Sequence, residues 1–255
     1  MTTTILVLVL AVAVGLSLGL LGGGGSILTV PLLTYVAGME PKQAIASSLF
    51  VVGATSIMST FTHARAGNVQ WRTGLIFGVA SMAGAFIGGL AGGYIPGVIL
   101  MLLFAVMMIA TAVAMLRGRR NKASAEEKEQ LPMGKIIIEG LVVGMVTGLV
   151  GAGGGFLVVP ALALLGGLPM PVAVGTSLLV ISMKSFAGLA GYLTTVSIPW
   201  PLVLGVTGTA ILGALLGARL TRVVPEKALR KGFGVFVLVM GIFVLSQEIP
   251  TLLGG

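Results

Sequence analysis

The chain has 255 residues, of which 56% are hydrophobic and only 9% are charged, and its formal net charge is +8. Soluble domains carry about 25% charged residues, so this composition excludes an ordinary soluble domain and indicates a polytopic membrane protein. Without cysteine there is no disulfide framework, thiol chemistry or thiolate metal site. The basic residues fall in short loops between apolar segments, where they set orientation and attract anionic lipid, so we expect no nucleic-acid partner.

The apolar segments form two sets of five on either side of the only long polar stretch, residues 117–130. The first segment lacks a basic leader and a small-residue cleavage site, so we expect a retained helix rather than a signal peptide. A spanning helix needs roughly 17–25 residues, and the second segment of each set is shorter. We expect that segment to form a hairpin with the helix before it or a broken helix, and whether it spans or re-enters stays open. In chain order the segments cover residues 4–21, 26–38, 43–62, 72–92, 95–116, 135–150, 155–166, 172–194, 200–219 and 228–247.

The two sets are copies of each other. Proline, tryptophan and paired glycines recur without a gap at one constant spacing, which we call the repeat offset: Pro31 and Pro160, Trp71 and Trp200, Pro96 and Pro225, Gly84 and Gly213, Gly88 and Gly217. Random apolar sequences do not share such residues in one register, so we infer an internal duplication. It predicts a first transmembrane repeat over residues 1–116, a charged cytoplasmic linker over 117–134 and a second repeat over 135–255.

The orientation of the copies follows from their charges. Of the 15 Lys and Arg residues, 13 lie in or beside the loops 63–72, 117–135 and 219–231. Placing these loops in the cytoplasm puts both termini outside. Because each set has five segments, an odd number, the second repeat is inverted relative to the first. The expected fold class is an all-α polytopic membrane protein with two inverted-topology repeats, in a prokaryotic-type inner or plasma membrane.

Two glycine-rich stretches hold corresponding positions in the repeats. They contain Gly22, Gly23, Gly24, Gly25 and Ser26 in the first repeat, and Gly151, Gly153, Gly154 and Gly155 in the second. Unwound backbone within a membrane must be buried in protein or line a cavity, and a helix that begins there directs N–H groups and about +0.5 charge at the occupant. Inverted-repeat transporters bind substrate near the midplane at such breaks. The pattern predicts a small-anion site, and tight helix packing is the alternative.

Hydroxyl groups lie near the start of the third segment of each set, at Ser47, Ser48, Thr176 and Ser177. They are candidates to donate hydrogen bonds to substrate oxygens. The alternative is that they bond back to the preceding helical turn, as buried Ser and Thr often do. Ser48 and Ser177 are favoured because they recur unchanged.

Lys184 stands in the middle of segment 172–194, close to the expected midplane of the membrane. An intramembrane charge costs at least ~2.5–3.5 kcal/mol on insertion scales, so its default interpretation is functional. Lys184 is a candidate anchor for the anion or a group that changes protonation during transport. The alternatives are snorkelling to an interface or pairing with Glu139. Its counterpart is Thr55, so the site is asymmetric.

The chain offers little for catalysis. One histidine, no cysteine and no aspartate leave too few groups for a nucleophile–base pair or a metal site, so we expect neither an enzyme nor a cofactor. His63 is more typical of a polar boundary residue than of a proton relay, and Asn68 of a turn residue.

Several segments together resemble the TauE/SafE family of sulfite-exporter-like membrane permeases. They are Gly22 to Ser26 with Pro31, Ala46 to Leu49, Arg65 to Trp71, Gly151 to Gly155 with Pro160, Gly175 to Leu178, and Ile198 to Trp200. The resemblance covers nearly the whole chain. It implies transport of small organosulfur compounds or sulfur oxyanions, such as sulfite, sulfonates or sulfoacetate-like compounds. The family's usual acidic residue before the tryptophan is Gln70 in one half and Pro199 in the other, which puts any role of that acidic group in doubt.

The expected function is secondary transport of a small anion by alternating access. An anion channel of the same fold and a non-transporting membrane subunit are the alternatives. No P-loop sequence occurs, so energy has to come from an ion gradient, from the anion's own gradient or from another subunit. The expected partners are a small anionic substrate, the lipid bilayer and, for gradient-driven transport, a coupling ion (H⁺ or Na⁺). The sequence leaves the oligomeric state and the direction of transport open.

Overall fold

The computed structural model describes residues 2–21, 24–117, 133–151, 155–160, 162, 168–220 and 226–253. These residues form ten α-helices and no β-strand, which confirms the predicted all-α class. The helices are α1 (Thr2–Leu21), α2 (Gly24–Pro31), α3 (Pro41–Arg65), α4 (Trp71–Tyr94), α5 (Gly97–Arg117), α6 (Met133–Val150), α7 (Gly155–Pro160), α8 (Met170–Tyr192), α9 (Trp200–Leu220) and α10 (Glu226–Leu253).

Five of the helices in the described part of the chain are long and apolar enough to cross a membrane, namely α1, α3, α4, α8 and α9. Within the most apolar stretch of each of these helices, the buried share of the residues is 72% in α3 and in α8, 44% in α4 and in α9, and 33% in α1. Helices α3 and α8 pack against each other, and α9 and α4 flank them. The bundle therefore has a central pair, α3 and α8, and that pair carries the candidate site.

The second segment of each set begins as a short helix. In the first half, a proline explains where that helix, α2, changes from α-helical to π-helical hydrogen bonding. Pro31 has no N–H to continue the α-helical pattern, and α2 widens after it into a π-helical turn, Leu32–Val36. The N–H of Ala37 then reaches back to the Leu32 carbonyl, at 3.0 Å. Gly38 ends the turn with a φ of +71°, a value that glycine adopts freely.

A second backbone hydrogen bond at the end of this segment has an equivalent in the second half of the chain. The Met39 N–H donates to the Leu33 carbonyl at 3.0 Å, and at the equivalent place the Leu168 N–H donates to the Leu162 carbonyl at 3.1 Å. Helix α2 (8 residues) and the π-helical turn (5 residues) are together too short to cross a bilayer. Helix α2 packs against α1. The short segment of the first half is thus a non-spanning helix that changes its hydrogen-bond pattern after Pro31.

Paired glycines bring the outer helices together at two equivalent crossings. A methyl group on Gly84 would overlap the backbone of Leu141 on α6, and one on Gly213 would overlap the backbone of Val12 on α1. Gly88 and Gly217 make the next contacts along the same helices. These contacts of Gly84 and Gly88 at the α4–α6 crossing correspond, at the repeat offset, to those of Gly213 and Gly217 at the α1–α9 crossing, so the G-x-x-x-G segments are helix–helix contacts. The inverted orientation of the two halves stays a prediction.

Valine at Gly213 is expected to lower the thermal midpoint of the protein in detergent, because its side chain would overlap the backbone of α1. Overpacking costs about 1–3 kcal/mol or more. Gly208 provides a matched control on the same helix, since a methyl group there meets nothing within 4 Å. Equal midpoints for Gly213→Val and Gly208→Val would contradict the close crossing.

Candidate functional site

Buried polar side chains run along both central helices. In a bilayer, buried polar groups mark binding sites or bond helices together. On α3 the buried set is Ser47, Ser48, Thr55, Ser56, Ser59, Thr60 and His63; on α8 it is Thr176, Ser177, Ser182, Lys184 and Ser185. The two central helices therefore present a polar centre inside an otherwise apolar bundle.

The glycine-rich stretches lead into the two short helices. Gly24 and Gly25 form the first turn of α2, and Gly155 is the first residue of α7. Ser26 follows in α2 and is completely buried. Gly22, Gly23, Gly153 and Gly154 lie outside the described residues. Helices α2 and α7 contact each other. The two corresponding glycine-rich stretches are therefore followed by helices that pack together.

Gly151 joins the second break to the first half of the chain. Its φ is +67°, and a methyl group there would overlap the side chain and backbone of Ile45 on α3. The hydroxyl of Ser48 lies 2.5 Å from the Gly151 carbonyl and 2.8 Å from the Ile45 carbonyl. A hydroxyl has one hydrogen to donate, so Ser48 shares it between its own helix and the opposite break.

Ser177 makes a hydrogen bond on α8 that is equivalent to the bond from Ser48 to the Ile45 carbonyl on α3. Its hydroxyl donates to the Val174 carbonyl at 2.7 Å, one turn earlier on α8. In this conformation Ser48 and Ser177 thus bond back to the preceding turn, the alternative considered for both. A donor that is engaged locally can still turn toward a substrate oxygen, so both serines stay candidates.

Thr176 and Ser47 occupy equivalent positions with different partners. Thr176 accepts a hydrogen bond from the backbone N–H of Gln70, at 2.9 Å. The residue that corresponds to Gln70 is Pro199, which has no N–H to donate. The Ser47 hydroxyl is buried without a hydrogen-bond partner among the described residues. Because proline replaces the residue whose N–H would bond to it, the Ser47 hydroxyl stays unpaired and keeps a free donor.

Lys184 is the buried cation of the polar centre. It is 1% exposed, and its Nζ donates a hydrogen bond to Thr147 Oγ1 on α6, at 2.9 Å. Within the described residues no carboxylate pairs with Lys184: the bond goes to Thr147 rather than to Glu139, two turns earlier on the same helix. An ammonium has three N–H donors, so donors remain for an anion. Thr147 was not predicted, although it is the only hydroxyl residue in segment 135–150.

Two further serines on the central helices lack hydrogen-bond partners in the described structure. The hydroxyls of Ser56 on α3 and Ser185 on α8 are completely buried and form no hydrogen bond there. They correspond at the repeat offset, and Ser185 follows Lys184 directly. A Cβ on Gly53 would lie 3.3 Å from the Ser185 Cβ, which places Ser185 against α3. An unpaired buried hydroxyl is costly, so we add Ser56 and Ser185 to the candidate site.

His63 and Tyr192 are also counterparts, and both contact the end of the first helix in their own half. His63 Nε2 lies 3.4 Å from the Gly19 carbonyl of α1, and the Tyr192 hydroxyl donates to the Leu149 carbonyl of α6. Contacts at corresponding places in the two halves are typical of side chains that hold neighbouring helices together. Asn68 follows Gly67, whose φ of +74° marks the turn after α3.

Apolar spanning helices around a polar centre define an integral membrane protein, and comparison with known proteins defines its class as a membrane transporter. The model of the family described as "Sulfite exporter TauE/SafE" matches residues 7–244. The chain belongs to this family, as its sequence motifs suggested.

Named relatives agree with this assignment. A "Probable membrane transporter protein" of Xylella fastidiosa is 35% identical over 244 residues, which is 92% of each chain. Another, from Methanocaldococcus jannaschii, is 32% identical over 243 residues, 89% of each chain. "Sulfite exporter TauE/SafE family protein 3" of Arabidopsis thaliana is 29% identical over 137 residues, 52% of this chain and 29% of that protein. No solved structure matches the chain.

Proposed function

We propose that this chain is a secondary transporter of a small anion, and that the anion is an organosulfur compound or a sulfur oxyanion. The observation that carries the proposal is Lys184, a buried cation in the spanning helix α8 whose described partner is a neutral hydroxyl. Among the described residues this cation lacks a counter-charge, and a substrate anion would supply it. The family description and the name of the plant relative, which both refer to sulfite export, support the sulfur class.

The substrate chemistry fits Lys184 taken together with the unpaired hydroxyls on the two central helices. Sulfite, sulfonates and sulfoacetate-like compounds carry several oxygens that accept hydrogen bonds. The ammonium would hold the charge, and the unpaired hydroxyls of Ser47, Ser56 and Ser185 would donate to the oxygens. The first turn of α2, at Gly24 and Gly25, would add backbone N–H groups and the positive end of a helix dipole. We expect no enzymatic activity from this set.

Alternating access would move one repeat against the other around this site. The equivalent α1–α9 and α4–α6 crossings support two similar structural units, and the contact between α2 and α7 supports breaks that meet at their interface. In the proposed orientation, loops 63–72, 117–135 and 219–231 face the cytoplasm of a prokaryotic-type cell and both termini lie outside. Lys42, at the outer end of α3, donates to the Gly93 carbonyl at 2.8 Å and so satisfies the C-terminal end of α4.

The substrate class can be tested by binding to the purified protein in detergent. Calorimetric titration with sulfite, thiosulfate, sulfoacetate and taurine is expected to give saturable binding of at least one sulfur compound, with acetate and lactate as sulfur-free controls. Equal binding of the sulfur-free acids would contradict the sulfur assignment but not the anion site. Flux through the protein without counterflow would favour the channel, and no flux from folded protein would favour a non-transporting subunit.

Alanine at Ser56 or Ser185 is expected to separate affinity from stability. Each substitution removes an unpaired buried hydroxyl, whose desolvation costs about 1–3 kcal/mol, so the thermal midpoint should stay the same or rise. Anion affinity should fall, because a donor to the substrate is lost. Ser48→Ala is the contrasting control, since it removes existing hydrogen bonds and should lower the midpoint. Wild-type affinity in both Ser56→Ala and Ser185→Ala would exclude these hydroxyls from the site.

A further inference from the structure

A groove opens on the lipid-facing side of α3, between this helix and residues of α4 and α8. Its volume is about 480 Å³, and its lining includes Ile57, Phe61, Arg65, Trp71, Leu179 and Ser182. Binding cavities for small molecules are typically ~300–1,000 Å³, so the groove is large enough to hold part of a ligand.

The walls of the groove are apolar and open outward. Ile57, Phe61 and Trp71 are 50%, 56% and 53% exposed. They belong to α3 and α4, which are both long and apolar enough to span the membrane. Exposed apolar side chains on spanning helices face lipid, so an acyl chain is the occupant we expect in the apolar part of the groove.

Arg65 supplies a cation at one end of the groove. Its Cζ lies 4.2 Å from the centroid of the Phe61 ring. Arg65 is itself exposed, so its guanidinium is accessible to a phosphate, which arginine binds in a bidentate manner. Trp71 lies in the same lining, and tryptophan is enriched at the headgroup level of membranes. An apolar groove with an arginine at the headgroup level matches the two parts of an anionic lipid.

The other half of the chain fills the equivalent place with aromatic rings. At the repeat offset, Ile57 corresponds to Phe186 and Leu179 to Phe50. Phe50 packs edge-on against Phe186, with centroids 6.2 Å apart, and against Trp200, with centroids 5.2 Å apart. The counterpart of Arg65 is Thr194, an uncharged residue. The smaller side chains, Ile57 and Leu179, and the cation therefore occur together at only one of the two equivalent places, which the duplication alone does not require.

We propose that this groove is a binding site for an anionic phospholipid, with one acyl chain against Ile57 and Leu179 and the phosphate on Arg65. The expected source is the cytoplasmic leaflet, where anionic lipid concentrates and where basic pockets between spanning helices bind phosphate headgroups. Lys184 does not line the groove, which borders the polar centre at Thr60 and Ser182. The proposed lipid occupancy does not depend on which anion is transported.

Native mass spectrometry of the full-length protein tests the proposal with phosphatidylglycerol and phosphatidylcholine of identical acyl chains. We expect preferential retention of phosphatidylglycerol. Arg65→Thr should reduce that retention about fivefold, the equivalent of about 1 kcal/mol per basic residue near an anionic surface. Ile57→Phe, which introduces the counterpart side chain, should reduce retention of both lipids. The controls are Arg72→Thr in the same loop and Leu212→Phe on the exposed face of α9.

Three results would overturn the lipid site. The first is an equal loss of phosphatidylglycerol in Arg72→Thr and Arg65→Thr, which would indicate unspecific charge attraction. The second is full lipid retention in folded Ile57→Phe, which would place the acyl chain elsewhere. The third uses Ser182→Cys, since the chain has no other cysteine: rapid reaction with a hydrophilic maleimide in both phosphatidylglycerol and phosphatidylcholine liposomes would indicate a water-filled path. Slow reaction, slower still with phosphatidylglycerol, is the supporting result.

Discussion

Replacing Lys184 by alanine is expected to weaken binding of the transported anion by more than tenfold. Removing one partner of a desolvated charge pair typically costs about 2–5 kcal/mol or more, and every ~1.4 kcal/mol is a factor of ten in affinity. Lys184→Arg keeps the charge but displaces it, so its affinity should lie between those of the alanine variant and the wild type. Titration of purified protein with the substrate identified in the binding panel measures the effect.

The thermal stability of Lys184→Ala should not fall along with its anion affinity. A cation inside the membrane costs at least ~2.5–3.5 kcal/mol on insertion scales, so Lys184→Ala is expected to keep or raise the thermal midpoint. The matched control is Lys42→Ala, which removes the other lysine outside the predicted cytoplasmic loops and loses the bond to the Gly93 carbonyl. It should leave affinity unchanged. Wild-type affinity in folded Lys184→Ala would remove Lys184 from the site.

Valine at Gly25 or Gly154 is expected to abolish transport. In the proposed site, backbone at these breaks approaches the substrate, and a branched side chain would occupy the place of the anion. Gly25 lies in the first turn of α2, and Gly154 lies outside the described residues, so the pair tests both halves. The measurement is the initial rate of substrate uptake into proteoliposomes.

The control for this pair is Gly208→Val on α9, where an added methyl group meets nothing within 4 Å. Its uptake rate should match the wild type. Normal uptake in both Gly25→Val and Gly154→Val would assign the glycine-rich stretches to helix packing. Loss of folded protein in either variant would be visible as a lower yield of monodisperse material, and the uptake rate is therefore normalised to folded protein.

The long helices could be predicted from the sequence because hydropathy is a local signal. The segment predicted at 43–62 became α3 (Pro41–Arg65), and the segment at 72–92 became α4 (Trp71–Tyr94). Proline at the start of α3 and a left-handed glycine after it, Gly67, set boundaries that hydropathy alone places less well. The π-helical turn after Pro31 was not predicted, because a missing N–H can be accommodated by a kink, a break or a wider turn.

The candidate site could be predicted only in part, because its hydrogen bonds join distant parts of the chain. Position in an apolar segment was enough to select Lys184, but its bond to Thr147 crosses 37 residues and requires knowing how α6 faces α8. The bond from Ser48 to Gly151 crosses 103 residues. The unpaired hydroxyl of Ser185 depends on the absence of a neighbour, which the three-dimensional packing decides.

Substrate counterflow in proteoliposomes of the purified protein tests the transporter assignment most directly. Vesicles loaded with unlabelled sulfite, thiosulfate, sulfoacetate or taurine are diluted into labelled compound, with acetate and lactate as sulfur-free controls. The proposed mechanism predicts saturable, transient accumulation of at least one sulfur compound, and its loss in Lys184→Ala. Absence of counterflow across the whole panel, from protein shown to be folded, would contradict a carrier of sulfur anions.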